Sequence, residues 1–218
     1  MTIWLPVTYS TVDRVQLPIM LPTFDMPLLA FGISVVLITP GPTNTLLATA
    51  GLRHGFRSSA PLIGAELCGY LISISVWGIF LVAATEKLPW LLPTLRMACG
   101  IYLAWLAIRM WPASRTLAQP ERRLIGMRSL FIATLLNPKG LLFASLIFPK
   151  SAFTDLGDYL AAMVEFTLLL VPIGLGWIAL GRGLGSGKLS WPTSLQMQRG
   201  ASIVLSVFSL CLVWAAIR

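Results

Sequence analysis

Two short polar segments interrupt apolar stretches that would otherwise be long enough to cross a bilayer. The first reads TPGPTN at residues 39–44, and the second reads NPKG at residues 137–140. Proline in a helix interior costs about 3 kcal/mol, because its ring clashes with the preceding turn and it lacks an N–H donor. In lipid, the backbone groups exposed by such a break need protein or a water-filled cavity as partners. We therefore predict a binding site at these two segments.

The two breaks combine helix ends with polar and charged side chains, and this chemistry suits a carboxylate. A helix that begins after Pro42 presents free N–H groups and a partial positive charge of about half a unit. At the second break, Lys139 places an ammonium inside an apolar stretch, where it needs a partner or water. We predict that a ligand with one carboxylate binds there, and the candidate substrate-binding residues are Pro40, Gly41, Pro42, Thr43, Asn44, Asn137, Pro138 and Lys139. The alternative for Lys139 is a structural ion pair with Glu66 or Glu165.

Two glutamates in apolar stretches, Glu66 and Glu165, are candidates for proton coupling. A carboxyl group shielded from water can take up and release protons as its surroundings change. On a helix, Glu66 would share one face with Tyr70, and Glu165 would share one with Pro172. The alternative for each glutamate is a position near a helix end, with the side chain reaching the membrane interface.

The composition is that of an integral membrane protein. The chain is 56% hydrophobic and 11% charged, with a mean hydropathy of +0.82, whereas soluble domains carry about 25% charged residues. Its 218 residues leave room for about six spans of about 20 residues. We predict a transmembrane transporter domain at residues 27–218 after an N-terminal extension at residues 1–26, and Met20 and Met26 are alternative initiators. The predicted spans are residues 27–50, 61–83, 90–111, 127–149, 159–181 and 200–217.

The unusual features recur at a nearly constant separation, which indicates an inverted repeat. Pro40 and Pro138 are 98 residues apart, and Glu66 and Glu165 are 99 apart. Each half would then carry its break in its first span and its glutamate in its second. The predicted fold class is an all-α integral membrane protein with six transmembrane helices in a 3+3 inverted repeat, in which helices one and four are broken. Transporters of this construction bind substrate near the midplane, between the discontinuous helices.

The distribution of positive charge predicts the orientation. Ten arginines and lysines lie at the ends of the spans on one side and four on the other, with Arg96 and Lys139 inside the membrane. Positive residues favour the cytoplasmic side, so both termini are predicted to be periplasmic. The same bias accounts for the net charge of +8, and we predict no nucleic-acid partner.

Other function classes lack the residues that they need. Cys68, Cys99 and Cys211 are widely separated, and His54 is the only histidine. We interpret the cysteines as small buried apolar residues and predict no metal site, no cofactor and no enzymatic activity. An exporter of a cation or another small metabolite on the same scaffold stays open as an alternative.

These motifs resemble the lysine exporter (LysE/RhtB) family of amino-acid efflux proteins. The resemblance rests on TPGP at residues 39–42, Gly64 and Gly69, GIYL at 100–103, and NPK at 137–139 followed by Leu142 and Phe143. The family usually has asparagine directly after PGP, where this chain has Thr43 and then Asn44. The resemblance implies proton-coupled antiport of an amino acid or close derivative out of the cytoplasm across the bacterial inner membrane. It also implies a homodimer.

Overall fold

A computed structural model describes residues 22–111, 126–185 and 194–217, and the regular elements within these ranges are helices. Most of the predicted N-terminal extension lies outside them. The α-helices are α1 (Met26–Ile38), α2 (Pro42–Ser59), α3 (Leu62–Lys87), α4 (Leu91–Met110), α5 (Met127–Leu135), α6 (Pro138–Leu142), α7 (Leu156–Gly185) and α8 (Ser194–Ile217). A π-helical turn at Phe143–Ile147 continues α6, and a 3₁₀ turn at Lys150–Phe153 precedes α7.

Both predicted breaks are present. Helices α1 and α2 bend by 60° across the first break, where Thr39 leaves the helical conformation and Pro42 starts the next helix. Helix α5 and the segment Pro138–Ile147 bend by 43° across the second. There Asn137 caps α6, because its side-chain oxygen accepts a hydrogen bond from the Lys139 N–H at 3.1 Å.

The number of membrane spans follows in part from helix length and composition. Helices α3 and α7 are each long and apolar enough to cross a membrane, and each bent pair passes the same test when taken as one span. The described residues therefore hold two such helices, or up to four spans if each bent pair counts as one. Helix α4 has a shorter apolar segment, Leu91–Trp105. The count of six spans stays a prediction.

The helices pack in three groups. Helices α1 and α2 pack against α7, α5 and α6 pack against α3, and α4 packs against α8. In the last pair, the hydroxyls of Ser202 and Ser209 donate to the carbonyls of Ala107 and Gly100, at 2.6 and 2.8 Å. Each broken pair is thus held against one continuous helix, and this arrangement places the two breaks beside each other.

The α2–α7 contact depends on glycines, which predicts a large effect of one methyl group. A Cβ at Gly181 would lie 1.8 Å from the carbonyl oxygen of Ala48, whereas a Cβ at Gly176 would meet no atom within 4 Å. Gly181→Ala should therefore destabilise the protein by about 1–3 kcal/mol through overpacking. Gly176→Ala is the matched control and should leave stability unchanged or raise it by up to about 1 kcal/mol. Melting temperatures in detergent test this, and equal values for the two variants would contradict the packing described here.

The residues just before α1 fasten the start of this helix to α7. The backbone N–H of Thr23 donates to Asp158 Oδ1 at 3.0 Å, and its hydroxyl donates to Oδ2 of the same carboxylate. Asp25 caps α1 by accepting from the Leu28 N–H at 3.1 Å. Residues 23–25 therefore take part in the fold.

A chain that begins at Met26 should be less stable than one that begins at Met20, because only the longer chain keeps these contacts. The melting temperature should fall, because two hydrogen bonds to a carboxylate and one helix cap are lost. Thermal unfolding of the two truncated proteins in the same detergent measures the difference. Thr23→Ala in the full chain should give part of the effect, and indistinguishable truncations would refute it.

Candidate functional site

The two breaks are joined by Lys139, which belongs to the second break but binds the backbone of the first. Its ammonium is buried and donates to the carbonyls of Val36 and Thr39, at 2.9 and 2.6 Å. These carbonyls lie at the C-terminal end of α1, where the break removes their helical partners and where a cation is favoured. A Cβ at Gly41 would lie 3.1 Å from both Cε and Nζ of Lys139, so the glycine leaves room for the ammonium.

Asn44 completes the end of α1 from the other side of the same break. Its side-chain amide donates to the carbonyls of Leu37 and Thr39, at 2.7 and 2.9 Å. The Thr39 carbonyl thus accepts from both Asn44 and Lys139. The break is stabilised by side chains from both halves of the chain, which explains how it persists in an apolar setting.

A chain of hydrogen bonds runs from the second break to Glu66. Asn137 Nδ2 donates to the Tyr70 hydroxyl at 3.0 Å, and this hydroxyl lies 3.3 Å from Thr43 Oγ1. Thr43 in turn hydrogen-bonds Glu66, a carboxyl group that is 2% exposed. A threonine hydroxyl has one proton, so a Thr43 that donates to Glu66 must accept from Tyr70. Protonation of Glu66 would therefore affect the contacts of both breaks.

Glu165 lies outside this network. It is half-buried on α7, and its Oε2 is shielded from solvent with no hydrogen-bond partner among the described residues. Its neighbour Phe166 points to the centre instead and packs edge-on against Phe143 and Tyr70, with ring centroids 5.1 and 5.8 Å away. The two glutamates that recur in the sequence thus occupy different environments.

A cavity of about 590 Å³, here called the central cavity, lies between the two breaks and α4. This volume falls within the range of small-molecule sites, which are mostly apolar with a few placed polar groups. The polar lining comes mainly from the breaks and the apolar lining mainly from α4. The lining residues are Pro40, Gly41, Pro42, Thr45, Leu95, Ala98, Cys99, Tyr102, Leu103, Asn137, Pro138, Lys139, Leu141 and Leu142.

Most of the candidate substrate-binding residues line this cavity. Thr43 and Asn44 do not, because they are buried behind it and hold the network and the end of α1. The sequence places Tyr70 on the face of Glu66 but does not indicate the wall formed by α4. That wall includes Cys99 and Tyr102, and α4 has no break that could have marked it.

The interpretation of the cysteines as buried residues is wrong for two of the three. Cys68 and Cys211 are exposed on the helix surface, and Cys99 is half-buried in the wall of the central cavity. A membrane supplies apolar surroundings to a helix face without burial in protein. The apolar sequence around a cysteine therefore does not distinguish the two situations.

A comparison with protein families matches residues 34–216 to the LysE type translocator family. The chain belongs to this family. The match includes both breaks, Glu66 and Glu165. This translocator is therefore a multi-pass membrane protein and a transporter rather than an enzyme, and its family indicates efflux of amino acids or related small molecules. No solved structure matches the chain.

Proposed function

We propose that this translocator exports an amino acid or close derivative from the bacterial cytoplasm across the inner membrane, in exchange for protons. The observation that carries the proposal is the position of Lys139. Its ammonium lies in the wall of a cavity bounded by both broken helices, where an anionic group of a substrate can reach it. A buried ammonium needs polar partners, and the α1 carbonyls supply two of them.

The substrate carboxylate would bind at Lys139 and at the start of α2. In the structure the ammonium donates to two α1 carbonyls, and it has three donors in all. A carboxylate in the central cavity would compete with those carbonyls for the ammonium, because charge-assisted hydrogen bonds are the stronger ones. Lys139 belongs to one half of the chain and the carbonyls to the other. Substrate binding would thereby weaken a contact that holds the two halves together.

Glu66 would carry the coupled proton. It hydrogen-bonds Thr43, and the charge of Lys139 acts on it. Protonation would remove a negative charge close to Lys139 and change the hydrogen bonds through Thr43 to Tyr70. Glu165 would serve the other half as a second proton site, and the shielded, unpartnered Oε2 supports that role.

The architecture that we propose for this mechanism is six spans in a 3+3 inverted repeat. Exchange of the two halves would convert the packing of α1 and α2 on α7 into that of α5 and α6 on α3, and would leave the α4–α8 pair unchanged. These packing partners support the proposed repeat. We further propose periplasmic termini, from the positive charges, and a homodimer. A cation as substrate is disfavoured, because it would meet the ammonium of Lys139.

An efflux screen tests the function. Bacteria that overexpress the protein are loaded with dipeptides, and all twenty amino acids are then measured in the medium over time. We expect faster appearance of one amino acid, or of a few related ones, relative to cells with an empty vector. Unchanged export of all twenty, with the protein present in the membrane, would count against the proposal.

A further inference from the structure

A second cavity of about 470 Å³ follows the central cavity along the groove between α4 and the chain after the second break. The central cavity meets Leu141 and Leu142 on that chain, and the second cavity meets Ala144 and Ser145. These two pairs of lining residues are about one helical turn apart along the chain. Val82, Arg96 and Lys150 also line the second cavity.

The second cavity is cationic. Arg96 and Lys150 line it, and no aspartate or glutamate is found among the described residues of its wall. Two positive groups that line one cleft add their attraction for an anion. An arginine also matches the planar geometry of a carboxylate with two parallel N–H donors.

Ser145 supplies a second, independent indication of a ligand. It lies in the π-helical turn, its side-chain hydroxyl is buried, and this hydroxyl has no hydrogen-bond partner in the part of the chain that the structure describes. The carbonyl of the same residue accepts from Arg96 Nε and an Arg96 terminal nitrogen, at 3.3 and 2.9 Å. Ser145 thus carries the unpartnered hydroxyl and binds the guanidinium of Arg96 through its carbonyl. Turns of π-helix are frequent at functional sites.

We propose that the second cavity is a carboxylate-binding site formed by Arg96, Lys150 and the hydroxyl of Ser145. The substrate would occupy it after it leaves Lys139, so the three cations mark successive positions of one carboxylate. This inference rests on the proposed function for the identity of the ligand, while the anion site itself can be tested without transport. In a purely structural role, Arg96 would hold the Ser145 carbonyl and bind no ligand.

A single cysteine in the wall of the second cavity reports its charge. Val82→Cys is made in a chain in which Cys68, Cys99 and Cys211 are replaced by alanine, and the purified protein is treated with thiosulfonate reagents. The anionic sulfonatoethyl reagent should react about tenfold faster than the cationic trimethylammonium reagent, because a cationic cleft concentrates anions. Arg96→Gln and Lys150→Gln should each reduce this preference several-fold. Lys87→Gln removes a nearby positive charge outside the lining and should leave it unchanged.

Occupancy is tested with acetate as the carboxylate probe and acetamide as its uncharged control. Acetate should slow modification of the cysteine at position 82 and acetamide should not, and the acetate effect should disappear in Arg96→Gln. Arg96→Lys should restore it in part. No charge preference, or a preference that both Arg96→Gln and Lys150→Gln leave intact, would overturn the site.

The efflux screen separates this inference from the proposed function. Export that persists in a protein without the charge preference refutes only the second site. A charge preference and acetate protection without export of any amino acid refute the proposed function, and they support an anion site of another purpose.

Discussion

Replacing Lys139 by methionine is expected to lower the export rate by at least about a hundredfold. Methionine keeps much of the apolar stem but removes the ammonium that donates to Val36 and Thr39 and that is proposed to bind the substrate carboxylate. Loss of a charge-assisted interaction of about 3 kcal/mol in the transport cycle corresponds to about two powers of ten in rate. The initial rate of export from cells loaded with the substrate measures the effect.

Two controls separate this role from stability. Lys87→Met removes an exposed lysine at the end of α3 and should export at the rate of the unaltered protein. Lys139→Met leaves the Val36 carbonyl without its lysine partner, which costs about 1–3 kcal/mol, whereas the Thr39 carbonyl keeps its hydrogen bond from Asn44. Its amount in the membrane and its melting temperature are therefore measured alongside. Normal export by a well-inserted Lys139→Met protein would show that Lys139 does not bind the substrate.

Replacing Glu66 by glutamine is expected to abolish proton-driven export while exchange of substrate across the membrane continues. Glutamine preserves the size of the side chain and its hydrogen bond to Thr43, but it cannot release a proton. In proteoliposomes with an imposed pH gradient, uphill transport should fall to the background level. Exchange of labelled for unlabelled substrate, which needs no net proton movement, should stay within about tenfold of the unaltered protein.

Glu86→Gln is the matched control for this experiment, because Glu86 is an exposed glutamate near the end of the same helix. It should retain both activities. Glu165→Gln should reduce uphill transport less than Glu66→Gln does, since Glu165 lies outside the hydrogen-bond network between the breaks. Full gradient-driven transport by Glu66→Gln would refute the assignment of Glu66 as a proton carrier.

The two breaks could be predicted from the sequence because their cause is local. Proline is unfavourable in a helix interior, and at both breaks a glycine or asparagine beside it supports the turn, whereas the isolated Pro172 is accommodated inside α7. The prediction of a site between the breaks followed from the apolar setting, and the structure brings six of the eight candidate residues to one cavity.

The partners of Lys139 could not be predicted, because they depend on how far α1 and α2 diverge. A bend of 60° turns the end of α1 toward the second break, and no residue type encodes that angle. An ion pair with a glutamate was the structural alternative, yet the hydrogen bonds of the ammonium go to backbone carbonyls. Backbone partners leave no trace in sequence composition.

The 99-residue separation of the two glutamates predicts a repeat in the sequence. The surroundings of the two side chains nevertheless differ. A shift of one residue on a helix turns a side chain by about 100°, and at the second position Phe166 faces the centre in place of Glu165. The helix ends also differ from the predicted spans, since α3 continues to Lys87 and α7 spans Leu156–Gly185. Hydropathy marks the apolar part of a helix, whereas hydrogen bonding continues into the polar flanks.

The claim that an amino acid binds between the two breaks is tested most directly at Cys99, a native residue of the central cavity. With Cys68 and Cys211 replaced by alanine, the rate of alkylation of Cys99 by N-ethylmaleimide is measured in the purified protein. The exported amino acid should slow the reaction several-fold in a saturable manner. Its amide, which lacks the carboxylate, should not, and Lys139→Met should abolish the protection. An alkylation rate that saturating exported amino acid leaves unchanged would contradict binding in this cavity.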